Sequence, residues 1–72
     1  VQSGAIELKV YPADKKHHQS PHFHVWIGGE SVASVRLSDL QPFIGGPLSR
    51  AVRRLIDESV EELWDAWEIW NV

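Results

Sequence analysis

The stretch Pro21-His22-Phe23-His24-Val25-Trp26-Ile27 limits the possible folds more than any other part of this chain. Side chains on a β-strand point alternately to two faces, with a period of two. A strand here puts Phe23, Val25 and Ile27 on one face and His22, His24 and Trp26 on the other. The first set is an apolar core stripe that a second element must cover. The second set is two imidazoles and an indole on a face the core does not need. Pro21 suits the start of such a strand, where a missing N–H costs no ladder bond.

The flanking segments follow the same period. Ile6, Leu8 and Val10 alternate with Glu7, Lys9 and Tyr11, which predicts a half-buried strand over about 5–11 that stops at Pro12. Residues 13–20 are polar and without periodicity, and read as a connecting loop. A third strand is expected over about 31–37, with Ala33, Val35 and Leu37 on one face and Val32, Ser34 and Arg36 on the other. A two-residue Gly28-Gly29 turn would pair Val25 with Val32 and mix the faces. A one-residue slip reverses every side chain. A three-residue loop, Gly28-Gly29-Glu30, is therefore expected, pairing Val25 with Ala33 and Phe23 with Val35. It sets His24 opposite Ser34, His22 opposite Arg36 and Trp26 opposite Val32.

Ser38 or Asp39 turns the chain, and Gln41 to Pro47 reads as a connector with breakers at both ends. From about 48 to 70 a helix is predicted. Leu48, Ala51, Val52, Leu55, Ile56, Leu63, Ala66, Trp67 and Trp70 fall on one side, and Arg50, Arg54, Asp57, Glu61, Asp65 and Glu68 on the other. Trp64 projects near the polar side, so it either folds back onto the core or meets a partner. The arginines sit in the first turns and the acids later, which opposes the helix dipole by a few tenths of a kcal/mol where exposed. The expected fold is α+β: a three-stranded antiparallel sheet with one long C-terminal helix on one face, in a single small domain over 1–72. The histidine face is left open.

Size and charge narrow the function. A chain of 72 residues buries only about 60% of its unfolded surface, so good packing or a partner must supply the rest of its stability. Without cysteine there is neither disulfide nor thiolate zinc site, so any metal would sit on His, Asp or Glu. No stretch approaches the roughly 20 apolar residues of a membrane span. The expected location is cytoplasmic, although the chain begins at Val1 and a targeting segment can have preceded it. The net charge of −3 is uneven, with +1 over residues 1–36 and −4 over residues 37–72. An acidic second half disfavours a general polyanion partner.

His22 and His24 project side by side, and both imidazoles can reach one ion. His18 can add a third nitrogen, with Asp14, His17, Glu7 or Glu30 as further donors. Three His ligands and an open position suit a divalent metal such as zinc. The spacing alone is weak, because His-x-His occurs on many strands as ordinary surface. The cupin pattern fails because Glu30 comes too late. The histidine-triad pattern fails because Trp26 stands where a third His belongs, and two-histidine phosphoesterases need a second motif that is missing. A metal-free reaction would use His22 or His24 as general base and Arg36 to hold a phosphoryl anion. Tyr11, Trp26, Lys9 and Arg36 can also stack on or pair with single-stranded RNA, but the RNA-binding fingerprints are lacking and RNA is the weaker expectation.

Taken together, His18-x-x-Pro21-His22-Phe23-His24-Val25, Ile27-Gly28-Gly29, Leu37-x-x-Leu40 and Glu62-Leu63-x-x-x-Trp67-Glu68 resemble a small uncharacterised bacterial and archaeal family. Its members carry a Pro-Pro-His-x-His signature and end in a Glu-Leu-Leu-x-x-x-Trp helix. The chain departs at Ser20, where the first proline is usual, and at Gly46-Pro47-Leu48, where Leu-Pro is usual. The resemblance covers about residues 5–70 and implies no activity. It implies a neighbouring small protein as partner, in a two-gene arrangement like that of toxin–antitoxin pairs, and carries over His18, His22 and His24 as the candidate site. The leading expectation is a binding module acting through Tyr11, Trp26, Arg36 and Trp64. The alternatives are a metal-binding protein or metal-dependent hydrolase on the three histidines, or a metal-free RNA-cleaving protein. A homodimer that buries the open face is also compatible with so small a core.

Overall fold

In a computed structural model of the chain, residues 1–11 and 21–71 are described. The predicted connecting loop at 13–20, with Asp14, His17 and His18, lies outside them. The fold is α+β, but the antiparallel sheet has five strands rather than three. They are β1 (Gln2–Ser3), β2 (Ile6–Lys9), β3 (His22–Ile27), β4 (Glu30–Arg36) and β5 (Pro42–Gly45), followed by helix α1 (Arg50–Asn71). The strands follow one another in space in chain order, as a meander. The two strands beyond the expected three are short edges. β1 is two residues long, and β5 lies in the segment that composition marked as a connector.

The predicted alternation of β3 sets the core. Phe23 and Val25 are wholly buried, joined by Leu8, Ala33, Val35 and Leu37 from the sheet and Val52, Ile56 and Leu63 from α1. Truncating a buried Phe such as Phe23 to Ala costs about 3–5 kcal/mol, a large share of a total that is usually about 5–15 kcal/mol. Ser49 caps the helix, its hydroxyl accepting the Val52 N–H at 3.2 Å. Ala51, expected on the inner side, is exposed, and Ser59 is buried in the inner stripe instead. Trp64 folds back and is half-buried against the core.

The turn after β3 differs from expectation in an instructive way. The core pairs are Phe23↔Val35, His24↔Ser34 and Val25↔Ala33, with His22↔Arg36 beyond them. The turn itself, however, is the two-residue Gly28-Gly29, closed by Ile27↔Glu30, and Trp26 faces Ser31 instead of Val32. Both glycines have positive φ, 59° and 83°, as the favoured two-residue hairpin turn requires. The two demands are reconciled by a bulge between Val25 and Trp26 that leaves Val32 as the extra residue on β4. A second bulge, opposite Ser34 and Val35, leaves Phe43 extra on β5.

The helix starts at the Gly28-Gly29 end of the sheet, where Leu48, Ser49 and Val52 meet Ile27, Val32 and Ala33. It runs towards the other end, where Pro21 accepts the Leu37 N–H at 2.9 Å and β3 begins. Gly45 closes the path into the helix at φ 75°, and a Cβ there would overlap the Val32 carbonyl oxygen. Gly45→Ala is therefore expected to lose about 2 kcal/mol or more of stability through strain and overlap with backbone. A denaturation midpoint unchanged from the parent would show that β5 can move away.

Candidate functional site

The open face is built by the residues that alternate out of the core. The pairs Lys9↔His24, His24↔Ser34 and Ser34↔Ile44 put four strands on one row, and Glu7↔Trp26 lies on the next row of the same face. Bulges re-aim side chains, and the one at Phe43 brings this residue to His22, with ring centroids 5.6 Å apart. His22 lies at the centre of a ring cluster, 5.3 Å from His24 and 5.4 Å from Trp67. Tyr11 closes on the other side of His24 at 4.8 Å. Tilted and edge-on contacts of this kind contribute about 0.5–1.5 kcal/mol each beyond burial.

The face is thus less bare than expected. Trp67, predicted for the core, is half-buried there and also reaches His22 from the last turns of the helix. Ser34 is buried, and its hydroxyl shares a 3.1 Å hydrogen bond with His24 Nδ1. A histidine beside a hydroxyl is the pairing used to activate a nucleophile. At 5% exposure, however, Ser34 offers no surface to a substrate, and the bond orients the imidazole.

Among the described residues, the cations of the face are engaged within the chain. Lys9 lies 4.5 Å over the Trp26 ring and 3.5 Å from Glu7. Arg36 holds Asp39 through two contacts, Nε to Oδ1 at 3.2 Å and Nη2 to Oδ2 at 3.0 Å. The hydrogen bond from Arg36, with a second from the Gln41 N–H, holds the Asp39 carboxyl below its usual range. Arg36 was expected to hold a phosphoryl anion; in the fold its guanidinium is already forked onto a carboxylate.

Of the three candidate metal ligands, His22 and His24 are side by side and His18 falls outside the described residues. Among the described residues no group of three His, Cys, Asp or Glu side chains could hold a metal ion. Tyr11 and Trp26 lie on the face as expected, whereas Trp64 packs on the core. Phe43, Ile44 and Trp67 were missed. The first two were legible only as adjacent apolar residues between breakers, and the third had a full explanation as core. No helix among the described residues is long and apolar enough to cross a membrane.

Burial lowers the pKa of His24 from 6.5, and the neighbouring His22 adds to the effect. The folded state therefore favours neutral His24 and the unfolded state binds the proton more readily. Its contribution to stability is whole above the unfolded value of 6.5 and is lost as pH falls through the lower folded value. Thermal unfolding should show stability declining below pH 6.5, and His24→Gln should flatten that part of the profile. Identical profiles for the two proteins would rule this group out as the cause.

A search of curated proteins and one of solved structures each give no match. One family model does match, over residues 6–68, nearly the whole chain. The chain belongs to that family, described as a domain of unknown function, DUF4160.

Proposed function

We propose that this chain is a binding module that docks a small protein partner on its open sheet face. The partner's source is the one the sequence resemblance implies: a neighbouring gene, in a two-gene arrangement of the toxin–antitoxin type. The observation that carries the reading is the make-up of the face. Tyr11 is 40% exposed, Phe43 44% and Ile44 62%, around a row of half-buried rings. A cluster of partly exposed aromatic and aliphatic side chains is the composition of an interface core.

The charge pattern favours a protein over RNA. Phosphate binding needs cations free to replace counterions, and here Lys9 and Arg36 are each turned onto a carboxylate of the same chain. The rest of the recognition would then be by shape and apolar contact, with His22 and His24 held rigid by Trp67, Phe43 and Ser34. Rigid rings lose little conformational freedom on docking, which suits them to the role of anchor.

Co-expression with the product of the adjacent open reading frame tests the reading. The two chains should co-purify, and Ile44→Asp and Tyr11→Ala should each weaken the complex about tenfold or more. Ile44→Asp, at an exposed position, should leave stability within about 0.5 kcal/mol, whereas Tyr11→Ala also gives up the ring contact to His24 and should lose about 1 kcal/mol. Failure to co-purify, or full retention by both variants, would remove the open face as the docking site.

A further inference from the structure

The second surface that calls for a partner is the outer side of α1. Its charges are arranged in two blocks, with Arg50, Arg53 and Arg54 in the first turns and Glu61, Glu62, Asp65 and Glu68 in the later ones. Each block sits at the end of the helix that its charge disfavours. Beside the arginines is a groove of about 770 Å³, lined by Ile6, Ala51 and Leu55 together with the carboxylates Asp57 and Glu58. At the other end Ile69 is 77% exposed, the most exposed large apolar side chain among the described residues, one turn beyond Asp65 on the helix surface.

These features repeat along the helix in a way that fits two copies. Arg50 and Glu68 lie on one line along the helix, and Ala51 and Ile69 on another, each pair five full turns apart at about 3.6 residues per turn. Arg54 and Asp65 lie between the two lines. A two-fold axis crossing the helix at its middle, near Ser59 and Val60, makes such a surface complementary to itself. It sets Arg50 against Glu68 of the second copy, Arg54 against Asp65, and Ile69 into the groove over Ala51 and Leu55.

We propose that the chain forms a two-fold homodimer through the outer side of α1, the helices antiparallel and Ile69 of each copy seated in the arginine-rimmed groove of the other. Charge complementarity selects the occupant: three arginines against Asp57 and Glu58 leave the groove cationic, and an acidic block that matches it is on the same helix. The middle of the contact brings acids together, chiefly Glu58 and Glu61. Arg54 offsets the first of these from its own chain at 3.6 Å. Exposed ion pairs are individually weak, so the apolar knob carries most of the affinity and the charges set the register.

Sedimentation equilibrium over a wide concentration range tests this. The parent chain should dimerise, Ile69→Asp should weaken the dimer at least about tenfold, and Glu61→Gln should tighten it. Arg50→Glu and Glu68→Arg should each weaken it, and the double variant should recover most of the loss. A parent chain that stays monomeric overturns the proposal. So does a dimer indifferent to Ile69→Asp but broken by Ile44→Asp, which would place the interface on the open sheet face. A double charge variant no stronger than the singles overturns the antiparallel register.

Discussion

Everything in this fold depends on the burial of Phe23 and Val25 beneath Val52, Ile56 and Leu63 of the helix. In so small a domain the apolar surface available for burial is barely enough to offset the ordering of the chain. That makes the facing of β3 the one choice the chain cannot relax. Once Phe23 and Val25 point inward, period two sends His22, His24 and Trp26 outward on the same strand. The site is therefore a direct consequence of the core, fixed in place by the same backbone.

The two glycines of the β3–β4 turn show how strong that demand is. Gly28 and Gly29 favour the tight hairpin turn, with positive φ at both positions. Carried straight on from that turn, the ladder would have set Val25 against Val32 and turned one stripe out of the core. The turn and the core each keep their preference, and the difference of one residue is absorbed by the bulge at Val32. Weighing loop lengths against register gives the correct core pairs but the wrong loop. It had no signal for a bulge, because Val32 is β-branched and reads as an ordinary strand residue.

Other features divide along the same physical line. The three central strands and the helix were legible because their periodicity extends over several residues, and only packing against a partner element produces that periodicity. β5 was not, since Pro42, Gly45 and the bulged Phe43 break its alternation, and its pairing is supplied by β4 rather than by its own pattern. The pairing of His24 with Ser34 and of His22 with Arg36 was legible from register. The ring contacts of His22 were not, because Trp67 reaches it from an element remote in sequence, and no local pattern encodes such a contact. Trp64 shows the converse: its angular position suggested exposure, yet an indole is large enough to lean back from the helix flank onto the core.

The two surfaces left over treat charge in opposite ways, and this separates their roles. On the open face, the cations among the described residues are matched within the chain: Lys9 by Glu7 and Arg36 by Asp39. What such a surface presents is shape and apolar area, and it discriminates by fit. Along α1 the charges are separated by sign over the length of the helix. That arrangement is mildly unfavourable to the isolated helix, is offset within the chain at Arg54–Glu58, and is relieved further when an opposite sequence of charges lies alongside. A surface matched within itself can accept a partner of another kind, whereas one divided into blocks is most economically matched by its own reverse. One chain can thus carry a heterologous contact on its sheet and a symmetric one on its helix without either competing for the same residues.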